Sequence, residues 1–185
     1  MSFSDLKWEG MTVPAEYFSI QAKTFYFQFR VWIVTLGEHK GLYCGSIWLI
    51  VQYDGKLQNA DKVRDIDYYP TVDLAKEKVL EEGLKIVRDI IREAKILSTF
   101  SWKKSKRAYE KVYTHEKEMT YLTLRVRKIE KGEHRGEYLG GVFYTGVDGS
   151  LEQHLYPTFH SAKHHSKAIV LGIVEKIAQE AGLNY

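Results

Sequence analysis

The sequence has few of the residues that mark the common functional classes. A single cysteine, Cys44, among 185 residues allows neither an intramolecular disulfide nor a multi-thiolate metal site. Three prolines and no polar low-complexity run argue against long disordered segments. No run approaches the roughly 18 apolar residues of a membrane span, and the first residues lack the pattern of a signal peptide. We therefore expect a cytoplasmic protein without a membrane partner.

Catalytic motifs are also missing. The sequence contains no GxSxG nucleophile elbow, no HExxH metalloprotease motif and no glycine-rich loop placed before a helix. The net charge of +3 is too small to imply a polyanion partner by itself. The sequence thus predicts no catalytic residue and no cofactor, and it favours a protein that is not an enzyme.

The most specific feature is a loop that occurs twice. Gly37–Gly45 reads GEHKGLYCG and Gly132–Gly140 reads GEHRGEYLG, with six of nine positions identical. Further along, YPTVDLAK from Tyr69 aligns with YPTFHSAK from Tyr156, at an offset of 87 instead of 95. Self-similarity of this kind predicts an internal duplication. The glycines of the repeated loop suit a connection between strands that needs two flexible residues.

Each copy is predicted to form three strands followed by a helix. Aromatic and β-branched residues from Thr24 to Thr35 predict a long strand, and Asp54-Gly55 and Asp148-Gly149 predict hairpin turns. Apolar residues at helical spacing then follow Thr71 and Thr158, which are suitable N-caps. The predicted fold class is α+β, with tandem duplicated β-β-β-α repeats. We expect antiparallel sheets, each covered by one helix, in a pseudo-two-fold arrangement.

These boundaries divide the chain into four segments. Residues 1–21 form an N-terminal arm, 22–96 the first β-β-β-α repeat, 97–117 a basic linker and 118–185 the second β-β-β-α repeat. The linker carries a net charge of +4, which exceeds the +3 of the whole chain. The positive excess is therefore predicted between the repeats.

The repeat unit resembles several families. Its Asp-Gly hairpins and its helix entries TVDLA and TFHSA, from Thr71 and Thr158, resemble those of small bacterial β-β-β-α repeat proteins of unknown function. In outline it is also similar to HicB-like and double-stranded-RNA-binding-like folds. The tandem order with FYFQFRV at its head, Phe25–Val31, resembles the PUR-repeat nucleic-acid-binding proteins, which place four strands before the helix instead of three. No functional residue is assigned by these resemblances.

One face of each predicted sheet carries aromatic and basic side chains. Successive side chains of a strand point to opposite faces, so the apolar alternate positions of the first strand form the core face. The opposite face presents Tyr26, Arg30 and Trp32 in the first repeat and Tyr121, Arg125 and Arg127 in the second. Rings that stack on bases beside cations that contact phosphates are typical of single-stranded nucleic-acid binding. The alternative is an interface between the repeats or between two copies of the chain.

The predicted linker has the same chemistry in a shorter stretch. It contains Trp102, Lys103, Lys104, Lys106 and Arg107. Four neutralised phosphates and a ring for stacking would suit a single strand. The alternative is a solvated linker whose lysines have no partner.

Histidines cluster in the second repeat. His160 and His164 are four residues apart, so they share a helical face, and His154 lies on the strand before them. The glutamate of an HExxH motif is absent, because Ser161 stands in its place. These three histidines are weak metal-ligating candidates, and no metal site is predicted.

The sequence therefore favours a non-enzymatic binding or regulatory protein, with single-stranded nucleic acid as the first candidate partner. One alternative is a protein–protein association module, including a homodimer. Another is a small-ligand or metal-binding protein that uses the histidines of the second repeat.

Overall fold

The computed structural model describes residues 3–11, 19–53, 56–99, 104–106, 113–145 and 150–183. A 3-10 helix at Phe3–Asp5 precedes the strands β1 (Glu9–Gly10), β2 (Ser19–Lys23), β3 (Phe27–Ile33), β4 (Tyr43–Tyr53) and β5 (Lys56–Tyr69), and these lead into helix α1 (Val72–Thr99). The strands β6 (Lys104–Lys106), β7 (Tyr113–Glu118), β8 (Leu122–Lys128), β9 (Tyr138–Tyr144) and β10 (Ser150–Tyr156) then lead into helix α2 (Phe159–Ala181). No helix in this part of the chain is both long and apolar enough to cross a membrane.

The chain forms two compact units. The first unit comprises Met1–Val51, Leu57–Arg88 and Ile177–Tyr185, and the second comprises Gln52–Lys56 and Asp89–Lys176. Strands β1 to β5 pair in chain order, and so do strands β6 to β10. The fold is therefore α+β with two antiparallel sheets and two helices, which confirms the predicted class.

The strand count differs from the prediction of three strands before each helix. Strand β2 pairs with β3 from Ser19↔Trp32 to Lys23↔Gln28, and β7 pairs with β8 in the corresponding way. Strand β6 lies within the segment predicted as a linker, residues 97–117, and β7 lies within it except for its last residue, Glu118. Strand β7 reads YTHEKE, a polar sequence without apolar alternation, so its strand character comes from hydrogen bonding to β8 and leaves little signal in the sequence.

The core of the first unit forms between β3 and the first part of α1. The side chains of Phe27, Phe29 and Val31 are fully buried, as their alternation predicts. Helix α1 begins where the Thr71 hydroxyl accepts a hydrogen bond from the N–H of Leu74 at 3.3 Å, so the predicted N-cap is confirmed. The apolar stripe of α1 that faces this core includes Ala75, Val79, Ile86 and Val87.

A glycine lets α1 approach the sheet of the first unit closely. A Cβ at Gly83 would lie 2.6 Å from a ring carbon of Phe29, well inside contact distance. Phe3 packs edge-on against the same ring, with centroids 4.9 Å apart. Phe3 is thus part of this core.

The core of the second unit repeats this pattern. Leu122, Leu124 and Val126 of β8 are fully buried. The Thr158 hydroxyl accepts from the N–H of Ser161 at 3.1 Å, which confirms the second predicted N-cap. On α2, the buried residues Ala162, Val170, Ile173 and Val174 supply the apolar stripe.

A glutamate holds the start of the long strand in each unit. In the second unit, the carboxylate of Glu93 accepts hydrogen bonds from the N–H groups of Thr120, Tyr121 and Leu122 at 2.9, 2.9 and 3.0 Å. Glu93 is 7% exposed. In the first unit, Glu180 accepts from the N–H groups of Phe25 and Tyr26, at 3.1 and 3.4 Å. Backbone groups that would otherwise lack partners are thereby satisfied.

The repeated loops have the same backbone geometry. Gly37 and Gly41 have φ angles of 81° and 88°, and Gly132 and Gly136 have 85° and 98°. These values lie in the left-handed region that glycine adopts without steric cost. The loop therefore uses its glycines to connect two strands, as predicted.

Candidate ligand-binding face of the first unit

The candidate site lies on the face of the first sheet that carries Arg30 and Trp32. The strand register places Gln28 opposite Trp48, Arg30 opposite Ser46, and Trp32 opposite Cys44. Directly opposed residues of an antiparallel pair share a face, so β3 and β4 build one continuous surface. Together with residues of β5 and with Met11, this surface encloses a cavity of about 750 Å³.

The centre of the face is an arginine stacked on a tryptophan. The guanidinium carbon of Arg30 lies 4.3 Å from the ring centroid of Trp48, within cation–π distance. Arg30 Nη2 donates to Gln28 Oε1 at 3.1 Å, and Gln28 Nε2 donates to Gln21. The indole N–H of Trp48 donates to Ser46 Oγ at 2.6 Å. The pair is therefore fixed by hydrogen bonds on both sides of the contact.

Burial affects the same arginine. Arg30 Nε is buried and has no hydrogen-bond partner among the described residues. Desolvation by burial lowers the pKa of Arg30 from its ordinary value. The guanidinium is thus only partly solvated while it keeps its charge, since no protein environment removes the proton of an arginine at neutral pH.

Trp32 is the open aromatic residue of the face. Its side chain is half-buried and lines the cavity. Its indole makes no ring contact and no hydrogen bond with the part of the chain that the structure describes. Tyr68 at the cavity edge is instead covered by His39, with ring centroids 3.9 Å apart. A planar ligand that enters the cavity would therefore find Trp32 as the free stacking surface.

Strand β5 adds an acidic wall. Asp65 and Asp67 both line the cavity, and Lys62 Nζ lies 2.8 Å from Asp65 Oδ2. Burial and, second, the charge of Asp65 raise the pKa of the Cys44 thiol to about 11. Asp65 and Cys44 both line the cavity. Asp67 makes no hydrogen bond or ion pair with the described residues.

The corresponding face of the second unit has a different surface. Arg125 stands over Phe143, with the guanidinium carbon 4.7 Å from the ring centroid. The register places Glu116 of β7 opposite Arg125, where Gln21 stands opposite Arg30. Arg127 is exposed and takes the position of Trp32 at the offset of 95. The arginine–aromatic pair is thus present in both units, whereas the open tryptophan is present only in the first.

The remaining residues predicted for nucleic-acid binding have different surroundings. Tyr26 is 5% exposed, so its ring belongs to the interior. Tyr121 is half-buried, and its N–H donates a hydrogen bond to Glu93. Lys104 and Lys106 lie on β6. Trp102, Lys103 and Arg107 lie outside the described residues.

The histidines of the second unit contact neighbours near the start of α2. His154 Nε2 lies 2.9 Å from Glu152 Oε1, and the ring of His165 stacks on Tyr156 at 5.1 Å. His160 and His164 are exposed. Burial and, second, Glu152 raise the pKa of Tyr156. Within the described chain, no group of three or more His, Cys, Asp or Glu residues is arranged to hold a metal ion.

Three residues of the cavity were not found by sequence reasoning. Trp48 could have been found, because the offset of 95 aligns it with Phe143 and an aromatic residue therefore occurs at the same position of both copies. Asp65 aligns with Glu152 at the offset of 87, so an acidic residue at the same position of both copies was a usable signal, whereas Asp67 aligns with His154 and left none. The place of both aspartates beside β4 depends on the path of β5.

No protein-family model, no curated protein and no solved structure matches the chain. A function can therefore be argued only from the geometry of the chain itself.

Proposed function

We propose that the protein binds single-stranded nucleic acid through the first-unit face formed by Arg30, Trp32 and Trp48. A base stacks on Trp32, and the Arg30 guanidinium, held over Trp48, supplies positive charge beside it. No covalent chemistry is involved, so the protein acts as a binding or regulatory protein. The observation that carries the proposal is the open indole of Trp32 in a cavity that also contains a fixed arginine.

The dimensions and rigidity of the face support this proposal. A volume of about 750 Å³ exceeds what a single nucleobase needs, so a base and its sugar fit. Stacking on an aromatic side chain contributes about 1–3 kcal/mol per base and tolerates any sequence. Hydrogen bonds fix the Arg30–Trp48 pair before a ligand arrives, so little conformational freedom is lost on binding.

The proposal concerns the first unit more than the second. Arg125 and Arg127 of the second unit can contribute phosphate contacts, but Arg127 cannot provide the ring that Trp32 provides. Phosphate contacts by Lys104, Lys106 and the other cations of residues 97–117 remain a prediction from the sequence. So do a cytoplasmic location and a homodimer.

We also propose that the two units descend from one duplicated repeat. Equivalent hydrogen bonds join Val34 to Leu42 and Ile129 to Glu137, each at 2.8 Å, which supports the proposal. Among the described residues five strands precede each helix, and the four longer strands of each set, β2 to β5 and β7 to β10, match the four strands of the PUR-repeat outline. A pseudo-two-fold relation between the units remains a prediction.

A fluorescence titration tests the function. Fluorescein-labelled single-stranded RNA and DNA of twelve nucleotides are titrated with the wild-type protein at 50 mM salt. Trp32→Leu should weaken binding by about five- to a hundredfold, because a stacking surface is lost. Trp8→Leu is the matched control, since Trp8 lies outside the cavity and contacts Lys76, whose Nζ is 5.9 Å from the ring centroid.

Two outcomes would contradict the proposal. The first is the absence of binding by the wild-type protein at 50 mM salt, which would favour protein–protein association instead. The second is an equal loss of affinity in Trp32→Leu and Trp8→Leu. Circular dichroism of both variants establishes that the fold is retained before affinities are compared.

A further inference from the structure

Two carboxylates line the wall of the first-unit cavity. Asp65 and Asp67 are two residues apart on β5, so their side chains leave the strand on the same side. Both are exposed, whereas Trp32 is half-buried. The acidic groups therefore stand nearer the cavity rim than the proposed stacking surface.

The charges around the cavity cancel. The charged side chains that line it are Arg30, Lys62, Asp65 and Asp67, two of each sign. A surface that served only to attract phosphates would not include two carboxylates, because like charges repel. Lys62 already pairs with Asp65, so Asp67 is the carboxylate for which the strand would supply a partner. That partner must be a hydrogen-bond donor, since an ionised carboxylate only accepts.

A single strand offers two kinds of donor. These are the N–H groups of the bases and, in RNA alone, the ribose 2′-hydroxyl. A base stacked on Trp32 occupies the inner part of the cavity, which leaves its sugar at the rim beside Asp65 and Asp67. The position of the carboxylates thus favours the sugar hydroxyl over the base edge.

We infer that the first-unit cavity selects RNA over DNA, with Asp67 accepting a hydrogen bond from the ribose 2′-hydroxyl of the nucleotide stacked on Trp32. Asp67 has no partner among the described residues, so it is available for this bond. Asp65 is bonded to Lys62 at 2.8 Å and holds the cation away from the hydroxyl. The inference rests on the proposed function, because it requires a strand in the cavity.

The expected preference is moderate. A hydrogen bond to a charged acceptor at a partly solvated rim corresponds to about a tenfold difference in affinity. DNA lacks the hydroxyl and leaves Asp67 solvated, so its affinity depends on stacking and phosphate contacts alone. The dissociation constants for RNA and DNA should therefore differ, whereas the salt dependence of binding should be the same for both strands.

The test compares four oligonucleotides of one sequence. They are RNA, DNA, 2′-O-methyl RNA and 2′-fluoro RNA, each twelve nucleotides long and labelled with fluorescein. The wild-type protein should bind RNA about tenfold more tightly than the other three. The 2′-fluoro strand keeps an RNA-like sugar pucker without a hydroxyl donor, so it separates the hydrogen bond from sugar conformation.

Two variants test whether the carboxylate of Asp67 causes the preference for RNA. Asp67→Ala should bind RNA and DNA with equal affinity, and its affinity for DNA should not fall. Asp73→Ala is the matched control, because Asp73 lies on α1 and its side chain is 87% exposed. This control should keep the full preference for RNA.

Several outcomes would overturn the inference. They are equal wild-type affinity for RNA and DNA, RNA-like binding of the 2′-fluoro strand, and a preference that survives Asp67→Ala. A change in base preference on DNA in Asp67→Ala would assign the carboxylate to a base edge instead. If Trp32→Leu weakens both strands while RNA and DNA bind equally, only this inference fails; if Trp32→Leu has no effect, the proposed function fails.

Discussion

The same backbone carries two different surfaces in the two units. Arg30 stacks on Trp48 at 4.3 Å, and Arg125 stacks on Phe143 at 4.7 Å. Beside these pairs, the first unit has Trp32 where the second has Arg127. The arginine–aromatic contact is therefore a common structural element, and the neighbouring position is where the surfaces diverge.

A second difference concerns the residues that stand opposite the two arginines on the neighbouring strand. Gln21 is the register partner of Arg30, whereas Glu116 is the register partner of Arg125. Directly opposed residues of an antiparallel pair share a face, so the sequence sets a neutral residue beside Arg30 and an acidic residue beside Arg125. The two units thus share buried core positions and hydrogen bonds, while the surface beside the arginine differs between them. We expect that loss of the stacking surface proposed for the first unit is not compensated by the second unit.

The largest effect is expected from core substitutions, which test the packing that the two units share. Phe29→Ala and Leu124→Ala remove fully buried side chains at matched positions of the two sheets. Each should lower the free energy of unfolding by about 2–5 kcal/mol, through lost burial and a cavity. Urea unfolding followed by circular dichroism measures both changes. A loss below about 1 kcal/mol in either variant would show that the two cores are not equivalent.

The next prediction compares the stability contributed by the two glutamates that accept hydrogen bonds at the start of β8 and just before β3. Glu93→Gln replaces a buried acceptor of three N–H groups, and Glu180→Gln replaces a half-buried acceptor of two. Hydrogen bonds to a charged group contribute about 1.5–3 kcal/mol, so we expect a loss in that range for Glu93→Gln and a smaller loss for Glu180→Gln.

Thr24 explains why Glu180 should matter less. Its hydroxyl accepts from the N–H groups of Tyr26 and Phe27 at 3.1 and 2.9 Å. The matched position in the second unit is Met119, which has no such acceptor. Urea unfolding of both variants checks the order, and a larger loss for Glu180→Gln would refute this account.

A smaller effect concerns the aromatic residue under each arginine. Trp48→Phe makes the first unit resemble the second, removes the hydrogen bond to Ser46 and weakens the cation–π contact with Arg30. We expect a loss of about 1 kcal/mol in the free energy of unfolding. Ser46→Ala removes only the hydrogen-bond acceptor and is the matched control. If both variants lose the same free energy of unfolding, the Trp48 ring under Arg30 adds nothing beyond its hydrogen bond to Ser46.

Much of the fold could be predicted because the chain contains two copies of one pattern. Alternation identified Phe27, Phe29 and Val31 as core, and the threonine N-caps followed from side-chain chemistry. Strands β2 and β7 could not be predicted, since they form through pairing with a neighbour and not through their own apolar pattern.

The site could be predicted only in part, for a related reason. Arg30 and Trp32 follow from alternation along one strand, but the contact of Arg30 with Trp48 depends on the register between strands. Tyr26, on the same predicted face, is 5% exposed. It lies in the bend just before β3 begins, so the alternation along that strand does not extend to it. Long-range contacts between strands cannot be read from periodicity within one strand.

The last and smallest effect tests whether the carboxylate of Asp65 lies close to the thiol of Cys44 in the first-unit cavity. Burial of the thiol and, second, the charge of Asp65 raise the pKa of Cys44 to about 11, so the thiol is almost fully protonated at pH 8.5 and alkylates slowly. Asp65→Asn removes the repulsive charge, lowers that pKa and should speed alkylation by iodoacetamide up to about fivefold. The sign follows because a lower pKa gives more thiolate at fixed pH. Asp73→Asn, on α1 and outside the cavity, should leave the rate unchanged.

Mass spectrometry follows the reaction at the chain's one thiol. Equal alkylation rates in wild type and Asp65→Asn would place the carboxylate of Asp65 away from Cys44, and Asp67 would then be the one carboxylate on the acidic wall.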